Sequence, residues 1–168
     1  MVTNFIRARN VLERRLDAVF NPETFDVLYP EAEQAPKTFV GFPTSEPPFY
    51  AAVDEVIDTA STAGASTIGQ DTVTFTINVW LCAQHTRLSV AADTLLCYID
   101  ALFASIMADP SLNGTVENSF PRLESSGTAA DSSKRHIAAA VVAIECQVWT
   151  GCHPLIAVAV ESSNQALA

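Results

Sequence analysis

Positive charge is scarce in this chain. Nine Lys and Arg stand against nineteen Asp and Glu, a formal net charge of −10. A groove that grips nucleic acid needs clustered cations to displace counterions, so this balance argues against one. It is compatible with a surface that DNA passes without adhering. Paired cysteine motifs are missing as well. Cys82, Cys97, Cys146 and Cys152 form no CxxC pair, and in a cytosolic chain such residues are mostly small buried hydrophobes. There is no GxGxxG, P-loop, GxSxG or HExxH. No apolar run reaches the roughly 18 residues of a membrane-crossing helix without a polar break. The stretch Met1-Val-Thr-Asn-Phe-Ile-Arg-Ala-Arg9 lacks the apolar segment and cleavage site of a secretory signal. The expectation is therefore synthesis in the cytoplasm and no membrane partner.

Apolar residues, in contrast, are plentiful. At 49% hydrophobic over 168 residues, the chain can bury a core as one domain spanning 1–168, with 151–168 as a C-terminal extension. The strongest pattern runs from Thr72 to Met107. In Thr72–Cys82, Val73, Phe75, Ile77, Val79 and Leu81 point one way; Thr72, Thr74, Thr76, Asn78 and Trp80 point the other. That alternation predicts a strand with one buried face. From Ser89 to Met107 the apolar residues Ala92, Leu95, Leu96, Ile99, Leu102, Phe103 and Ile106 return at helical spacing. A strand face and a helix stripe of similar length are natural partners.

Elsewhere the pattern is shorter-ranged. Phe5, Ala8, Val11 or Leu12, Leu16 and Val19 predict a helix over 4–19, with Thr3 or Asn4 as its cap. Asn21-Pro22 stops it. Thr24–Tyr29 and Lys37–Phe42 read as short strands. Phe49–Thr59 fits helix and strand alike, and the extended entry after Pro47-Pro48 favours a strand. Ala60–Gln70 and Ser126–Ser133 are small polar runs that read as loops. Ser89 is a plausible N-cap, Asp109-Pro110 ends its helix, and Asn113-Gly114 turns the chain. Thr115–Ser125 reads as a strand at an edge or bend, because Pro121 cannot donate to a ladder. His136–Thr150 is the longest strand candidate. It is apolar on both faces for half its length, which predicts a central position. Gly151–Pro154 reads as a turn and Leu155–Ser162 as a short helix. The fold class is α+β: a mixed, mostly antiparallel sheet with an N-terminal helix and one long amphipathic helix packed on it.

Candidate chemistry is thin. Cys82 with His85, and Cys152 with His153, supply metal-ligating atoms in no zinc-finger spacing. Cys152 beside His153 is the one nucleophile–base adjacency, and neighbours in a turn rarely face one another. Glu31, Glu33, Asp54, Glu55, Asp58, Glu117 and Glu124 are scattered and read as solvated. The expectation is no catalytic, cofactor or metal site, and no enzyme. Interface candidates are more numerous. Arg7, Arg9, Arg14 and Arg15 form one basic helix, either a solvated face or a dock for an acidic partner; Arg7 and Arg14 are its interface candidates. Trp80 shares the polar strand face with Thr74, Thr76 and Asn78, and Trp149 follows Glu145 and Gln147 on the long strand. Each tryptophan is either a lid on the core or an interface anchor. Replacing an anchoring Trp149 by alanine should damage assembly more than folding.

The segments Val73-Thr-Phe-Thr-Ile-Asn-Val-Trp-Leu81, Leu95–Val116 and Ile137-Ala-Ala-Ala-Val-Val-Ala-Ile-Glu-Cys146 give the chain a resemblance. In their order and texture it resembles the tail terminator (tail completion) proteins of long-tailed bacteriophages. The resemblance implies a hexameric ring on the head-proximal end of the tail tube. Such a ring stops tube growth and presents a surface to the head connector or stopper protein. It further implies a virion location in the tail neck, with DNA only crossing the lumen. Another neck or tail component is a close alternative. A small α+β enzyme or ligand-binding domain, with a buried carboxylate or histidine facing a cavity, is the alternative of another class.

Overall fold

The computed structural model describes the backbone of residues 2–62, 71–131 and 133–150, and side chains within 5–57, 73–131 and 133–148. Helix α1 (Val2–Val19) and the short α2 (Pro22–Leu28) precede strands β1 (Lys37–Val40), β2 (Phe49–Thr62) and β3 (Asp71–His85). Helix α3 (Leu88–Ala108) and strands β4 (Asn118–Ala130) and β5 (His136–Thr150) follow. One five-stranded sheet has the order β1-β2-β3-β5-β4. β1 pairs parallel with β2, and every other pairing is antiparallel. The fold is α+β, with a mixed and mostly antiparallel sheet.

The alternation in β3 sets the layering. Phe75, Ile77, Val79, Leu81 and Ala83 are buried on one face. In register beside them lie Ala51 and Val53 of β2, and Ala138, Ala140, Val142, Ile144 and Cys146 of β5. α1 and α3 pack on this face with Ala8, Val11, Leu12, Leu16, Leu95, Leu102 and Ile106. Cross-strand pairs and helix contacts thus fill one core between two layers. β5 is an inner strand, as its two apolar faces require.

The α3 stripe is rotated from the expected one. Its buried residues are Ala91, Thr94, Leu95, Tyr98, Ala101, Leu102 and Ile106, while Leu96 is 62% exposed. Ala92, Ile99 and Phe103 are half-buried. The helix is apolar on nearly every side, so its periodicity marks the inner face weakly. Tyr98 decides the rotation: its ring meets Phe20 and Phe25, and its hydroxyl donates to the Gln34 carbonyl at 2.7 Å. By length and composition α3 could cross a membrane, with mean hydropathy 1.6 over its window. Here it is seated on β3, β5 and β4.

Several local expectations change. Residues 24–28 are helix rather than strand. Asn21 caps α2 by accepting from the Glu23 N–H at 3.0 Å, and Pro22 fixes φ in the first turn. That start signal outweighs the β-prone residues after it. α1 already begins at Val2, so Thr3 and Asn4 lie within it rather than capping it. The N-cap of α3 is Arg87, with no side-chain cap bond, instead of Ser89. β4 continues to Ala130 through most of the run expected to be a loop. There Ser126, Thr128 and Ala130 pair with Ala140, Ala138 and His136, and a backbone ladder needs no apolar side chain. β4 is the edge strand that Pro121 demands. β2 likewise reaches Thr62, pairing Ala60, Ser61 and Thr62 with Thr74, Val73 and Thr72. The rest of the expected 60–70 loop, the 151–154 turn, the 155–162 helix, Cys152 and His153 lie outside the described residues.

Candidate interaction surface

α1 and α3 pack on one face of the sheet, and α2 joins their layer through Phe25. Among the described residues, no helix or strand covers the other face. That second face is two-toned. At one end it is apolar: Tyr50, Ala52 and Cys82 are buried there, with Phe39, Trp80 and Ile137 partly buried around them. Towards the other end stand Thr74, Thr76, Asn78, Glu145 and Gln147, all half-buried. The period of two sends these residues outward because their neighbours occupy the core.

Trp80 marks the boundary. Its register partners are Ala52 on β2 and Val141 on β5, so small side chains flank the indole. Phe42, from the loop after β1, meets its ring edge-on at 4.9 Å. Gly41 sets up that loop at φ 72°, where a side chain is disfavoured, and its N–H donates to the Val53 carbonyl at 2.7 Å. Phe42 therefore covers part of Trp80. Its indole N–H is buried without a partner among the described residues. Leaving such a donor unpaired costs about 1–3 kcal/mol, offset here by burial of the ring. The remaining side of Trp80 opens on a groove of about 330 Å³ with Ile137, Ala139, Val141 and residues 125–129 of β4.

The other interface candidates fall in different places. Arg7 and Arg14 are exposed on α1. Their neighbours Arg9 and Arg15 point into the fold. Arg9 donates to the Glu55 carbonyl at 3.0 Å and pairs with Glu13 at 3.4 Å. Arg15 donates to the Asp109 carbonyl and carboxylate at 2.9 and 2.7 Å, and to Asn113 at 3.0 Å. The basic helix is thus split between two structural cations and two outward ones. Glu145 pairs in register with Thr76 and Phe120, and Gln147 with Thr74 and Asn118. They share the sheet face of Trp80 at its polar end. Trp149 pairs in register with Thr72, and its side chain lies outside the described residues.

Burial pushes the Cys82 thiol up to about 11 and the Cys146 thiol up to about 12, so neither supplies a thiolate near neutral pH. His85 accepts from the Arg87 N–H through Nδ1 and lies 4.0 Å from Glu33. Among the described residues the buried polar side chains are Thr94 and Ser119. Thr94 accepts from the Glu33 N–H and Ser119 donates to the Pro110 carbonyl, so both are satisfied structurally. A second groove of about 510 Å³ runs along the outer helix layer beside Arg15, Tyr29 and Ala104. Among the described residues that line it, the one carboxylate is Asp109, which Arg15 engages at 2.7 Å. No group of three His, Cys, Asp or Glu is placed to hold a metal among the described residues.

The apolar cluster that Phe39, Tyr50 and Ile137 form around Trp80, with Phe42 against its ring, was not legible in the sequence. Phe39, Tyr50 and Ile137 come from three separate strands that sheet register brings together, and the loop after β1 adds Phe42. The signal that existed was the outward-facing Ile137-Ala139-Val141 row. No family model matches the chain, and no curated protein matches it. Among solved structures, it is similar to a chain of a structure described as the virion of a native gene transfer agent (GTA) particle. The TM-score is 0.41 and the identity 8%, over 83% of this chain and 93% of that one.

Proposed function

We propose that this chain is a virion structural protein, and specifically a ring-forming tail terminator. In this reading it is not an enzyme. It caps the tail tube, ends tube growth and joins the tail to the head connector or stopper. The ring is a homo-oligomer, expected to be a hexamer, and DNA passes its lumen as cargo. The observation that carries the reading is the second sheet face. It places the partly buried Phe39, Trp80 and Ile137 next to a polar stretch, and an apolar patch bordered by polar groups is what a subunit contact requires. Two further features support it. The three segments that resemble tail terminators become β3, α3 with the turn after it, and β5, the centre of the fold. The net charge of −10 suits a ring that DNA must cross without sticking.

The test is the mass of the purified protein in solution, with and without purified tail tubes, together with electron micrographs of tube ends. Rings alone or on tube ends are the expected result. A chain that stays single and leaves tubes growing overturns the reading. Trp80→Ala is expected to abolish ring formation while lowering the melting temperature by only a few degrees. Equal loss of assembly and folding would return Trp80 to a lid on the core.

A further inference from the structure

The groove beside Trp80 is lined mainly by apolar side chains, and the chain carries a segment of matching chemistry. Residues 155–160 read Leu-Ile-Ala-Val-Ala-Val, with Ile156, Val158 and Val160 in one alternate row and Leu155, Ala157 and Ala159 in the other. This hexapeptide follows β5, which ends at Thr150, so its origin on the fold is fixed. A row of branched side chains suits a groove floored by Ala139 and Val141 and walled by Trp80 and Ile137.

Reach decides which copy supplies it. The groove begins near Val141, about 30 Å back along β5 from Thr150 at about 3.3 Å per residue. Ile137 lies about 43 Å back on the same scale. A fully extended chain from Thr150 covers at most about 18 Å to Leu155 and about 35 Å to Val160. Reversing direction after Thr150 consumes part of that, and a helical course reaches less. Folded back on its own sheet, the hexapeptide would lie over Thr76, Asn78, Glu145 and Gln147. That stretch is polar, and Val160 would barely meet the rim of the groove. The apolar segment and the apolar groove of one copy are therefore out of register with each other.

We propose that residues 155–160 of one copy occupy the Trp80–Ile137–Val141 groove of the next. The contact is heterologous: the end of β5 gives and the β4 end of the sheet face receives. Such a contact closes into a ring when its rotation permits. The inference rests on the assembly reading above and names the partner of its surface, a second copy of this chain.

Paired cysteines test it in a Cys97→Ser, Cys152→Ser background of the full chain. Ala129→Cys lies exposed at the groove, on the β4 residue paired with Ile137. Val158→Cys lies in the donor segment. Mixing the two singly labelled populations and oxidising them is expected to give a disulfide-linked pair of chains. In parallel, Ile156→Asp with Val158→Asp is expected to reduce the sedimenting mass to the 18.0 kDa single chain, with an unchanged thermal melt. Assemblies that persist in this double variant, without cross-linking of the mixed cysteine chains, overturn the inference and leave the assembly reading standing. A disulfide formed only within chains carrying both cysteines overturns it in favour of docking in the same copy. A single-chain mass for the unaltered protein, with or without tail tubes, overturns both.

Discussion

Arg15 and Asp109 tie the far end of α3 to α1. Arg15 reaches the Ser105 and Asp109 carbonyls, the Asp109 carboxylate and Asn113, and its side chain is 14% exposed. Asp109 is more open, at 39%, so solvent screens part of the attraction. Arg15→Ala is expected to cost about 1–2 kcal/mol, below the 3–5 of a fully buried broken pair. Urea titration followed by circular dichroism measures it. The Asp109 carboxyl is held well below its ordinary value of 3.8. The Ser111 hydroxyl contributes most, then the Asn113 N–H, with Arg15 adding less. A depressed carboxyl stabilises the fold fully above about pH 5 and loses that contribution as pH falls through and below the unfolded value. Asp109→Asn should therefore flatten the decline in melting temperature between about pH 5 and pH 2. A parallel decline in parent and variant would assign the acid sensitivity elsewhere. The same arrangement recurs at Asp131, whose carboxylate accepts from the Ser133 and Arg135 N–H groups and the Ser133 hydroxyl. Both turns place a serine two residues after the aspartate, a signal visible in the sequence beforehand.

At the scale of elements, start signals and pairing partners outweighed composition. α2 contains Thr, Phe and Val and reads as a strand, yet Asn21 and Pro22 make it a helix. Asn21→Ala is expected to cost about 1 kcal/mol. Its loss should also loosen Phe25, which is buried against Phe20, Tyr29 and Tyr98. Near-ultraviolet circular dichroism of these rings reports the change, and an unaltered spectrum with unaltered stability would mean that packing alone holds α2. Tyr98→Phe removes the bond to Gln34 and keeps the ring, so it should cost about 1 kcal/mol, against about 3–5 for Tyr98→Ala. β4 shows the opposite rule. From Arg122 to Ala130 its side chains are exposed, and its ladder to β5 alone keeps it a strand. The Arg122–Glu124 pair at 3.0 Å places charge on this edge, which discourages unwanted strand addition.

For the whole molecule, the proposed assembly sets charge against the second sheet face. In that assembly, copies carrying a net charge of −10 would repel one another, while the apolar end of the face would favour contact. Repulsion between exposed charges fades as the Debye length shortens from about 30 Å at 0.01 M salt to about 8 Å at 0.15 M. Association is therefore expected to strengthen with salt over that range, read as rising sedimenting mass at fixed protein concentration. Association that weakens with salt would point to ion pairs through Arg7 and Arg14 as the main contact instead.

The fold class, α1, β3, β5, the extent of α3 and the edge position of Pro121 could all be read from the chain before folding. Each rests on periodicity or on the covalent geometry of a single residue, which act over a few neighbours. The sequence also marked Trp80 as facing away from the core. It did not determine which side of α3 lies inward, because that helix is apolar nearly all round and Tyr98 had to find Phe20 and Phe25. It did not reveal that Arg9 and Arg15 are tied inward while Arg7 and Arg14 face solvent, since their partners Glu55 and Asp109 are remote in the chain. The groove beside Trp80 was decided by tertiary structure alone. Its walls come from β3, β4 and β5, and only strand register makes residues so far apart into one surface.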